Sequence, residues 1–154
     1  MIDILETTPL FVMKLDVGYA HAVHLGSGAF KGRSVFPVEG GIVSGDRVNG
    51  SVDGGADWVT WRDDGAMLID VRITLRTDDG AAIGMIYEGI AHADNDTMDR
   101  FRAREALGAD EVYTRTAVRF ETSHPDYVWL NSIIAVAKGM RTDAGPMYHV
   151  FEIR

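Results

Sequence analysis

Hydrophobic and polar positions alternate with a period of two along much of this chain. The clearest run covers residues 66–77. Met67, Ile69, Val71, Ile73 and Leu75 fall on one face, and Leu68, Asp70, Arg72, Thr74 and Arg76 on the other, which is the pattern of a half-buried β-strand. Comparable runs predict strands at residues 10–17, 20–25, 31–38, 48–52, 56–62, 81–92, 111–122, 127–137 and 147–153. Asp63-Asp64-Gly65 and Asp78-Asp79-Gly80 punctuate them; Asp-Gly pairs suit the positive-φ positions of tight antiparallel turns. One helix is predicted over residues 97–107, capped by Asp96 and ended by Gly108. The fold class that follows is all-β: an antiparallel barrel with one short helix, whose closure removes unpaired strand edges. No linker or long repeat divides residues 1–154, so one domain is expected. Beyond Ser132, the segment 130–137 is apolar on both faces of its predicted strand. A cover is therefore expected there, either the helix or a second copy of the chain in a homodimer or higher homo-oligomer.

Composition narrows the partners. The chain has 154 residues, 46% of them hydrophobic, and a formal net charge of -8. An acidic surface disfavours nucleic acid and anionic membranes. Cysteine is absent, which removes disulfides, thiolate nucleophiles and Cys-ligated zinc from consideration. The first 17 residues lack a basic n-region and a long apolar run, so a cytoplasmic location is the simplest expectation.

Several stretches carry a family resemblance: Gly54 to Trp58, Asp64-Gly65, the Asp70/Arg72 step, Leu75 to Gly80, Phe120 to Thr122 and Tyr127 to Asn131, with Gly40-Gly41 and Gly89. In consistent order across nearly the whole chain, they resemble the uncharacterised protein family 0311, also called domain of unknown function 3237. The resemblance implies a lipocalin-like, allene-oxide-cyclase-like β-barrel that is oligomeric. It brings no established reaction.

Candidate chemistry gathers on the central strands. Asp70 and Arg72 lie two apart, so they point the same way. Inside a barrel, Asp70 would move a proton and Arg72 would hold a carboxylate or enolate. Periodicity alone favours the opposite arrangement, with the apolar face as core and this pair in water. The resemblance, whose pattern keeps both residues, favours the interior. Asp57 follows Gly54-Gly55 at an expected rim turn, as a second carboxylate beside Trp58 or Trp61; otherwise it bonds turn amides while a tryptophan fills the core. Tyr87, Trp129 and Asn131 would orient an oxygenated ring, or else simply pack. The five histidines show no metal-binding spacing. Asp94, Asp96 and Glu105 match calcium-loop positions one, three and twelve, but Met98 and Asp99 occupy positions five and six, where that loop needs an oxygen ligand and Gly. No metal and no cofactor is expected. The leading expectation is a small-molecule barrel, working as a cofactor-free acid/base enzyme of isomerase, cyclase or lyase type. Its rivals are a carrier of a hydrophobic metabolite and a structural or regulatory oligomer with a filled barrel.

Overall fold

A computed structural model describes residues 1–154. Its strands are β1 (Thr7–Val17), β2 (Val23–Gly26), β3 (Arg33–Ser44), β4 (Gly50–Trp61), β5 (Met67–Thr77), β6 (Ala82–His92), β7 (Tyr113–Glu121), β8 (Ala135–Thr142) and β9 (Gly145–Ile153). One helix, α1 (Asn95–Arg102), joins β6 to β7. The sheet runs β1-β9-β8-β7-β6-β5-β4-β3-β2, and β1 also pairs with β3. That last pairing, antiparallel like all the others, closes eight strands into a barrel. The short β2 lies outside the ring, on the first residues of β3.

Burial decides which face of β5 looks inward. Met67, Ile69, Val71, Ile73 and Leu75 are all buried, whereas Arg72, Thr74 and Arg76 are exposed and Asp70 is half-buried on the same outer side. The expectation that Asp70 and Arg72 point into the barrel is therefore corrected. An eight-strand barrel has an interior just wide enough to be filled by side chains or to hold one small ligand, and each buried aliphatic chain contributes about 1.5–3 kcal/mol. On this strand the five aliphatic side chains take the inner face and the charged pair is left on the outer one.

The two ends differ. At one, Phe11, Leu75, Ile83, Phe120 and Leu130 pack into a continuous core. Leu130 comes from a short 3-10 turn, Val128–Ser132. This corrects the strand expected at 127–137: the segment caps the barrel and does not join its wall, and β8 starts only at Ala135. Of the two-faced apolar run, Leu130, Ala135 and Ala137 face the core, while Ile134 stays half exposed on the outside. Residues 20–25 also differ from expectation, because Tyr19–His21 form a 3-10 turn and only Val23–Gly26 are extended.

The helix is shorter than its sequence pattern. Asp94, not Asp96, caps it, accepting a hydrogen bond from the Thr97 amide at 2.8 Å. It ends at Arg102, and Arg104 adopts a left-handed conformation with φ of 63°. A non-glycine residue there is strained by about 1 kcal/mol. Arg104→Gly is expected to raise the melting temperature by about 2–4 °C, measured by thermal denaturation; an unchanged or lower value would show the backbone is unstrained.

Candidate active site

At the other end the barrel is hollow. A cavity of about 630 Å³ opens between the C-terminal ends of β4 and β8 and the starts of β3, β5 and β9, with Phe101, Arg102 and Arg104 of α1 and its exit at the mouth. Its walls include Leu15, Val38, Val59, Trp61, Ile69 and Met140, and its polar groups include Asp57, Thr114, Arg141, Tyr19 and Tyr148. That volume suits a ligand of drug-like size.

Asp57 reaches this space because β4 carries a bulge. The pairing with β5 shifts between Val52 and Gly54. Val52 faces the core before the shift, and Asp57, Val59 and Trp61 face the cavity after it. The extra residue exchanges even for odd positions on the inner face, as a bulge must. Gly55 makes this possible: its φ is 153°, and a Cβ there would lie 2.0 Å from the Arg72 carbonyl oxygen on β5. Gly54-Gly55 is therefore a mid-strand device and not the expected rim turn.

The Asp57 carboxyl sits where the β4–β5 ladder opens. Cα partners run to Asp57 opposite Val71 and resume at Thr60 opposite Leu68. In the gap, the Asp70 amide donates to Asp57 Oδ1 at 3.3 Å. Asp57 is half-buried and lines the cavity. Burial pushes its carboxyl up from 3.8 to about 7, opposed by the Asp70 amide and reinforced by the Asp70 charge.

Tyr87 and Tyr148 complete the inner wall, with ring centroids 5.3 Å apart. Burial first, and the Asp57 charge second for Tyr148, hold both phenols well above their ordinary range. Arg141 acts on Tyr148 in the opposite sense, so Tyr148 is under the influence of both the buried acid and the guanidinium. Arg141 donates to the Tyr19 hydroxyl at 2.6 Å and packs 4.5 Å from the Phe101 ring centre. Its Nε is buried without a partner. No three His, Asp or Glu side chains gather where they could hold a metal ion.

The residues singled out from sequence are therefore divided. Asp57 and Tyr87 line the cavity, as does Trp61. Trp58 lies on the outer surface, 43% exposed, because the bulge reverses its side. Trp129 and Asn131 are corrected to the plugged end. The Trp129 indole donates to the Asp126 carbonyl, and Asn131 exchanges two hydrogen bonds with the Thr122 backbone at 2.8 Å. Asp70 and Arg72 stay outside, although the Asp70 backbone touches the site. Tyr148, Arg141, Tyr19 and Thr114 were missed. Alternation through β9 places Tyr148 in line with Val150 and Glu152, so its inward direction was readable. Arg141 and Tyr19 meet across 122 residues of sequence, and no local signal announces that.

The fold and chamber together define a class: a closed antiparallel barrel with one sealed end and, at the other, an open-mouthed cavity with aromatic walls and a buried acid. The family model described as protein of unknown function (DUF3237) matches residues 5–153, and the chain belongs to that family. A UPF0311 protein of Clostridium acetobutylicum is 32% identical over 122 residues, covering 79% of this chain and 77% of the relative. A conserved protein of unknown function from Rhodopseudomonas palustris superposes with a TM-score of 0.92 at 27% identity, covering 99% of this chain and all of that one. An enzyme from Penicillium herquei shares the fold, with a TM-score of 0.76 at 22% identity over 100% of this chain and 98% of that one.

Proposed function

We propose that this barrel is an acid/base enzyme that moves a proton on a small, partly apolar, oxygenated molecule held in the cavity. The observation that carries this reading is Asp57: a carboxyl facing the cavity interior, pushed by burial to about 7. A group with that affinity gives and takes a proton with comparable ease at neutral pH, which is the optimum for general acid/base work. Tyr148, kept protonated by its surroundings, is a fixed O–H donor for negative charge developing on a substrate oxygen. Apolar walls from Val38, Ile69 and Met140 exclude water and hold a ring or chain in place. Isomerisation, cyclisation, hydration and elimination all fit two such groups. The roles first sought in Asp70 and Arg72 fall instead to Asp57 and to the cavity's own arginines. The Penicillium protein is described as an enzyme, so this architecture is compatible with catalysis; the choice of chemistry rests on Asp57.

The test is a screen of metabolite extracts for consumed and produced species, with purified wild type, Asp57→Asn and Tyr148→Phe. Expected are turnover by wild type, loss of at least about 100-fold in Asp57→Asn, and a smaller loss of kcat in Tyr148→Phe. A compound retained but never altered would point to a carrier. Turnover surviving in Asp57→Asn would remove Asp57 from the reaction.

A further inference from the structure

The mouth of the cavity has the opposite charge to the protein as a whole. The chain carries a formal charge of -8, yet five cationic side chains line the cavity against two carboxylates. Two of the five are already engaged: Lys31 pairs with Asp63, and Arg62 pairs with Asp64. The other three, Arg102, Arg104 and Arg141, have no carboxylate within 4 Å. Aromatic faces hold them instead. Arg102 lies 3.9 Å from the Trp61 ring centre, and Arg104 4.1 Å from that of Tyr19. Stacking fixes a guanidinium plane while leaving its N–H edge free to bind. Arg141 also carries a buried Nε with no partner, a donor the fold itself leaves unsatisfied beside the cavity.

We infer that these arginines form an anion-binding mouth for the head of a substrate carboxylate, whose apolar body lies inward toward Asp57. The inference rests on the acid/base reading of the cavity and adds the class of molecule: a carboxylic acid on an aryl or aliphatic frame. Planar guanidinium edges match the planar, two-oxygen geometry of a carboxylate. The C-terminal end of α1 faces this mouth, so the helix dipole gives an anion no help and the guanidinium edges must hold the head. Tyr148 lies under the influence of both Arg141 and Asp57, so an anion held at the arginines sits beside the same phenol that flanks the acid.

Calorimetric titration at pH 7 with 2-naphthoate and its methyl ester tests this, using matched bodies that differ in the head. Wild type is expected to bind the acid at least about tenfold more tightly than the ester, with only the acid weakened by 0.5 M sodium chloride. Arg141→Gln and the exposed Arg104→Gln are each expected to cost the acid about tenfold and to leave the ester within about twofold. Equal binding of acid and ester overturns the inference. So does binding of neither at 1 mM, or equal weakening of both by the arginine variants. Asp57→Asn separates this inference from the reading beneath it, because the acid-to-ester preference should persist in that variant. A preference that persists while Asp57→Asn also keeps full turnover would sink the proton-transfer role and leave the anion mouth standing.

Discussion

Asp57→Asn is expected to stabilise the protein at pH 8 and to abolish the pH dependence that Asp57 imposes. In the unfolded chain this carboxyl loses its proton near 3.8, and in the folded barrel near 7. Between those values the folded state binds more protons than the unfolded state, so stability falls as pH rises from about 4 to about 7 and levels off above. At about 1.4 kcal/mol per pH unit, the full span approaches 4 kcal/mol; water entering the cavity reduces it, and about 2–4 kcal/mol is expected. Asparagine keeps the shape and an oxygen to accept from the Asp70 amide, while the buried charge is gone. Its melting temperature at pH 8 should exceed wild type by roughly 5–15 °C, and the difference should shrink toward pH 4. Paired melts across that range decide the matter. A variant that melts lower than wild type at pH 8 would mean Asp57 is well solvated, and the case for a near-neutral acid would go with it. Gain of stability with loss of turnover is the expected mark of a functional group kept at structural cost.

The second large effect is expected at Gly55. Alanine there meets the Arg72 carbonyl oxygen at 2.0 Å and the Ile73 Cα at 2.7 Å, and must also hold a φ of 153°. Overpacking and backbone strain each cost about 1–3 kcal/mol, so Gly55→Ala should lose about 3–5 kcal/mol and roughly 10 °C in melting temperature. More is at stake than stability. The bulge decides which of Asp57 and Trp58 faces inward, so relief of the clash by slipping the register would turn the carboxyl outward. Carboxyl-selective NMR should then show the Asp57 titration returning to the ordinary carboxylate range. An unperturbed melt and an unshifted titration would together show that the bulge does not depend on glycine.

Alternation in β5 was strong enough to read the strand, its two faces and the barrel class without coordinates. The same alternation held the right answer about Asp70 and Arg72, since five aliphatic side chains on one face outweigh two charges on the other. Family resemblance argued the contrary, but residues retained in a pattern need not face a cavity. A glycine pair misled in another way. Gly54-Gly55 looks like a turn, yet it lies within a continuous twelve-residue strand, because positive φ serves a bulge as well as a hairpin. A bulge also exchanges inner and outer positions, which is why Asp57 was placed inward and Trp58 misplaced from the same segment. Residues 127–137 read as a strand because their apolar content suits either state; only the space left at the barrel's end selects the short 3-10 turn. The arginine mouth was illegible for a different reason: Arg102, Arg104 and Arg141 meet aromatic partners far away in sequence.

The sealed and hollow ends of the barrel divide labour along its axis. Leu75, Ile83, Phe120 and Leu130 secure one half, while Asp57, Tyr148 and the arginines occupy the other. Substitutions at the entrance are expected to couple only weakly to those at the sealed end. The entrance is consequently a module that can be rebuilt for a different guest without renegotiating the foundations beneath it.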